Sequence, residues 1–160
     1  MDWLVRAFIK SSVTWLALGV VVGIAMGVHP TWTVYRTAHM HIMLLGFVGM
    51  MIFGVAYHVI PRFAGHPLHH RGAALAHWWL ANTGLTAMVI GFIGRANAAS
   101  AATATLGVGG VLSGSGAFVF AYLVWRTIDG PSARRREESP AIQRDQPVAI
   151  GVRARRQGAR

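Results

Sequence analysis

Residues 36–63 read RTAHMHIMLLGFVGMMIFGVAYHVIPRF. From Ile42 to Tyr57 the stretch carries no charge and no strong hydrogen-bonding side chain until the final phenol. A helix needs about 20 apolar residues to cross a hydrocarbon layer about 30 Å thick. The stretch meets that length over about 38–60, so it predicts a membrane-crossing helix with histidines near both ends. Three further apolar stretches, about 5–28, 73–93 and 101–125, have comparable length. The predicted fold is an all-α membrane protein, a four-transmembrane-helix bundle over residues 1–128.

The boundaries of these stretches suit membrane surfaces. His29-Pro30 ends the first, Pro61-Arg62 ends the second, and Arg95-Ala96-Asn97 separates the third from the fourth. Aromatic residues gather near the same places: Trp32, Tyr35, Tyr57, Trp78, Trp79, Tyr122 and Trp125. The first stretch follows Arg6 and Lys10 but is longer than a signal-peptide core and lacks a small-residue cleavage site, so it is expected to be retained.

Basic residues set the expected orientation. Arg6, Lys10, Arg62, Arg71 and the nine arginines from Arg126 onward lie on one side, and only Arg36 and Arg95 on the other. Positive charge favours the cytoplasm, which predicts a multi-pass protein of the cytoplasmic (inner) membrane with both termini inside. Residues 129–160 combine Pro, Gln, Ser and Arg without an apolar period and are predicted to form a disordered cytoplasmic tail. That tail holds eight of the fifteen basic residues and contributes +4 of the formal net charge of +10. Basic residues directly after a membrane helix read as a topology signal attracted to anionic lipid, and no nucleic-acid partner is expected.

Composition also removes several kinds of chemistry. There is no cysteine, which excludes thiolate ligands, disulfides and covalent haem attachment. The five acidic residues are Asp2, Asp129, Glu137, Glu138 and Asp145, so no carboxylate lies between Trp3 and Ile128. Carboxylate acid–base pairs, di-iron carboxylate sites and carboxylate proton relays are therefore absent from the bundle.

Histidine is left as the main ionisable group there. An imidazole in hydrocarbon needs a hydrogen-bond partner or a metal, because an unpaired polar group is costly. Residues two apart on a helix point about 200° away from each other, so His39 and His41 serve different sites rather than one ion. His39 shares a stripe with Gly46, Met50, Phe53 and Tyr57, and His41 with Leu45, Val48, Ile52 and Val59; both stripes are expected to be buried. His58 lies about 28 Å further along the axis. It is expected at the depth of His77, where the two would either bind haem together or hydrogen-bond across the interface. His66, His69 and His70 fall in the short inner loop. Two small-residue faces, Gly19/Gly23/Gly27 and Gly110/Gly114, are expected to pack helices closely.

Two segments carry a resemblance. AHMHIMLLGFVGMMIFGVAYHVIPRFAG, residues 38–65, followed by ALAHWWLANTGLTAMVIGFIG, residues 74–94, resembles the late helices of subunit I of the haem-copper oxidases and nitric oxide reductases. In that family an A-H-x-H segment opens a helix near its outer end. A G-x-x-x-H-x-x-P-x-F-x-G-like stretch closes it, and the next helix opens with a His-aromatic pair. The resemblance implies that His39 ligates a high-spin haem iron and His41 a low-spin haem. It gives His58 and His77 no usual ligand role. A full subunit I is longer, and earlier helices supply its low-spin partner histidine and its copper or non-haem iron ligands. This chain alone therefore lacks the residues for a complete binuclear centre.

The resulting expectation is an integral membrane protein binding haem b, one or more, through His39 and His41 for electron transfer or for O2 or NO binding. Two alternatives stand beside it. One is a haem-free accessory or assembly subunit of a respiratory complex. The other is copper handling by His29, His39 and His41. Expected partners are the lipid bilayer and either further copies of the chain or a larger respiratory membrane complex.

Overall fold

Asp2 starts the first helix by accepting a hydrogen bond from Leu4 N at 3.3 Å, and its carboxylate also pairs with Arg71 at 2.8 Å. The computed structural model that shows this describes residues 2–65, 67, 68 and 70–130. His66, His69 and the expected tail disorder beyond residue 130 lie outside the described residues. Among the described residues the chain is helical, with no strand.

Helix α1 is Trp3–Val28, α2 is Pro30–Ala64, α3 is Arg71–Ala96 and α4 is Ala102–Ile128. By length and composition α1, α2 and α4 are apolar enough to cross a membrane. Helix α3 is as long as α1, but His77, Asn82, Thr83 and Thr86 make it more polar. The expected four-helix membrane bundle is the observed fold.

Helix α2 runs through Pro61 for a further turn and ends at Gly65, whose φ of 76° reverses the chain without a Cβ penalty. The α3 terminus is a Schellman turn: Ala99 N donates to Gly94 O at 2.9 Å and Ala98 N to Arg95 O at 3.2 Å. Its left-handed position is held by Ala98, at φ 56°, where glycine is usual.

Phe8, Met50, Leu85, Leu123 and His77 are fully buried. With Leu4, Val5, Tyr57 and Ala74, most of this core lies where α1 and α3 begin and α2 and α4 end. In lipid such packing rests on close contact rather than on water exclusion. The tightest seam joins α3 to α4. A Cβ on Gly84 would lie 2.6 Å from Ser113 N, and one on Gly109 would lie 2.6 Å from Met88 N. This corrects one expectation. Gly110 and Gly114 meet nothing within 4 Å, and the packed face of α4 is the one bearing Gly109 and Gly116. Gly27 is likewise open, while Gly19 and Gly23 are in contact with α2.

Candidate functional site

The start of α2 sets His39 and His41. Pro30 opens a 3-10 turn to Tyr35, and regular α-helix follows over Arg36–His41. From Ile42 to Gly49 the helix is a π-helix, and α-helix resumes at Met50. A π segment re-phases the side chains beyond it and leaves the backbone ladder mismatched at its end. Ser12, fully buried on α1, donates from Oγ to Phe47 O at 2.8 Å, where the ladder changes.

His39 faces α1. A Cβ on Gly23 would lie 3.1 Å from His39 Cε1, and one on Gly19 would overlap Met43 Sδ. The two glycines thus form a notch in which His39 and Met43, one turn apart, are seated. His39 Nδ1 is sealed from solvent with no hydrogen-bond partner.

His41 faces α3 instead. Its ring lies 4.6 Å, centroid to centroid, from Phe92. Nδ1 is 2.8 Å from Thr37 O. A carbonyl can only accept, so Nδ1 carries the proton and, in the neutral ring, Nε2 keeps its lone pair, the arrangement commonly found in metal-ligating histidines. The two rings therefore address different neighbouring helices. Only one of the two stripes is enclosed, however: Gly46, Met50 and Tyr57 are buried, whereas Leu45, Val48 and Ile52 are exposed. With α1 on one flank of α2 and the α3–α4 pair on another, none of the described helices covers that face.

His58 and His77 do not pair with each other. His58 contacts Arg62 of its own helix. His77 Nδ1 is 2.8 Å from Tyr57 Oη, and its ring is boxed by Phe8, Phe53 and Phe120. Tyr57, expected near the membrane surface, lies in the core beside His77, and His58 points elsewhere. His29 stacks on Trp32 at 5.4 Å. Among the described residues no three His, Asp or Glu side chains converge to hold a metal ion, so His29, His39 and His41 do not form the trio the copper reading needs.

The donor chemistry of His39 and His41 suits an iron porphyrin: one buried nitrogen without a partner, and one imidazole held with a lone pair free. Enclosure is a separate matter. A cavity of about 380 Å³ near this end is lined by Ala38 and Ile42 but by neither imidazole. Gly23 and Thr37 were not singled out as site residues in the sequence. Their signals were present: a glycine opposite the histidine turn, and a residue four positions before His41 whose carbonyl is in reach of its ring.

Residues 3–144 match the family model described as Cytochrome C and Quinol oxidase polypeptide I. The chain is also similar to the Cbb3-type cytochrome c oxidase subunit CcoN1 of Stutzerimonas stutzeri, at 25% identity over 74% of this chain and 29% of the relative. It thus spans less than a third of that relative's length.

Proposed function

The chain belongs to the cytochrome c and quinol oxidase polypeptide I family, and from that premise we propose that it is a haem b protein of an electron-transferring membrane complex, binding haem through His39, His41 or both. The observation that carries this reading is the hydrogen bond from His41 Nδ1 to Thr37 O, which orients the ring and leaves Nε2 as a ligand. Bound haem supplies an iron that takes up and releases one electron, or binds O2 or NO when a coordination position stays open.

The residues of the chain divide the remaining work. Thr37 fixes the tautomer of His41, Phe92 supports its ring, and Gly23 makes room for His39. The cavity of about 380 Å³ at this end is lined by neither imidazole. The porphyrin would therefore be shared with further protein, and the exposed Leu45–Val48–Ile52 stripe is the face that such a partner would cover. That partner is a larger respiratory membrane complex or a second copy of the chain, and the proposed setting is the cytoplasmic membrane with both termini inside.

The test is an absorption spectrum of the purified full chain, oxidised and then reduced with dithionite. A Soret band with split α and β bands on reduction is expected. A colourless preparation after haem supplementation overturns the proposal; if it co-purifies with a larger complex, it assigns the accessory role. Copper retained without haem assigns copper handling.

A further inference from the structure

Between α1 and α3 runs a cleft with two parts. The part nearer the start of α1 has a volume of about 440 Å³ and is lined by Lys10, Ser11, Thr14, Trp78 and Asn82, among others. The part nearer the end of α1 is the cavity of about 380 Å³, walled by Val21, Val22 and Ala25 of α1 and Val89 of α3 and closed by Ala38 and Ile42 of α2. Trp15 and Leu18 line both, so the two parts adjoin at these side chains.

Hydrogen bonds across the cleft hold it in shape. Trp78 Nε1 donates to Ser11 Oγ at 3.1 Å, Trp15 Nε1 to Asn82 Oδ1 at 3.2 Å, and Asn82 Nδ2 to Trp78 O at 2.8 Å. Ser11 Oγ accepts in this network, so its hydroxyl proton is free to donate outward. Among the described residues the exposed Lys10 ammonium has no ion-pair or hydrogen-bond partner. A polar mouth with an uncompensated cation thus opens into an apolar groove.

The dimensions select the occupant. From Ser11 to Val21 the helix rises about 15 Å at 1.5 Å per residue, which is about half of a 30 Å hydrocarbon layer and so the depth of one leaflet. Basic pockets between membrane helices suit anionic lipid head groups. We propose that the α1–α3 cleft binds one anionic phospholipid, with its phosphate at Lys10 and Ser11 and an acyl chain laid past Trp15 and Leu18 into the apolar groove. A zwitterionic lipid fills the groove equally well but leaves less net negative charge at Lys10, so the site selects by head group. This site uses neither His39 nor His41, although Ala38 and Ile42 of α2, beside those histidines, close the far end of its apolar part.

Native mass spectrometry of the full chain, released from bilayers of equal phosphatidylglycerol and phosphatidylcholine, tests the proposal. One lysine near a lipid surface corresponds to about a fivefold preference for the anionic lipid. One retained phosphatidylglycerol with that preference is expected, with parity in Lys10→Gln, recovery in Lys10→Arg, and loss of both lipids in Ala25→Phe. Equal retention by the unmodified chain, or no retention, overturns the proposal. So does a preference that survives Lys10→Gln, which places head-group selection elsewhere. Displacement of the lipid by millimolar inorganic phosphate would mark a free-anion site and also overturn it.

Discussion

Gly23 of α1 lies under the imidazole of His39: a Cβ there would lie 3.1 Å from His39 Cε1, closer than ordinary van der Waals contact. The glycine is therefore spacing for a particular side chain rather than a general packing surface. Gly27, one turn later, meets nothing within 4 Å and serves as a control on the same helix.

Gly23→Leu is expected to displace His39 and cost about 1–3 kcal/mol through overpacking. Haem content per protein, read from the reduced spectrum, should fall, while Gly27→Leu leaves both spectrum and thermal stability in detergent unchanged. Equal effects of the two substitutions would remove the special role of the notch.

His39→Ala and His41→Ala are each expected to lower haem content, and the double variant to abolish it. His58→Ala should leave the spectrum unchanged, since His58 is engaged with Arg62 on its own helix. Loss of haem in His58→Ala alone would move the site to the opposite end of the bundle.

Much of this arrangement was legible in the sequence, for reasons that are local. The 200° between residues two apart already separates His39 from His41, and apolar length alone marks α1, α2 and α4 as membrane helices. What was not legible depends on partners. Nothing in the spacing of Gly110 and Gly114 shows that Gly109 and Gly116 face α3 instead; both pairs suit close packing, and only the rotation of α4 decides between them. The π-helix at Ile42–Gly49 has no strong sequence signal, yet Ser12 is seated to serve its last carbonyls. The burial expected for the His41 stripe assumed a helix on every side of α2, and four helices leave one face bare.

Tyr57 and His77 form a buried polar pair whose loss should affect stability rather than colour. Tyr57→Phe removes the phenol that pairs with His77 Nδ1 and leaves that nitrogen without a partner, at a cost of about 1–3 kcal/mol. His77→Ala also opens a cavity among Phe8, Phe53 and Phe120, and is expected to cost about 2–5 kcal/mol. Thermal unfolding in detergent should show both losses, with His77→Ala the larger. An unchanged midpoint in His77→Ala would mean that this aromatic box does not carry the stability of the inner core.

The α3–α4 seam makes the sharpest structural test, because α4 carries glycines on two faces. At Gly84 a Cβ would lie 2.6 Å from Ser113 N and 3.0 Å from Gly109 O, both backbone atoms that cannot turn aside as a side chain can. Gly84→Leu must therefore push the helices apart. In lipid no hydrophobic gain offsets the lost contacts, since lipid tails are as apolar as the inserted leucine. The expected result is destabilisation of at least about 1–3 kcal/mol, with misfolded or aggregated protein after extraction. Gly110→Leu and Gly114→Leu point into open space and should leave the monomer's thermal midpoint unchanged. Any association state that those two variants alter would show that the open glycine face meets another chain; a drop in monomer stability equal to that of Gly84→Leu would refute the observed rotation of α4.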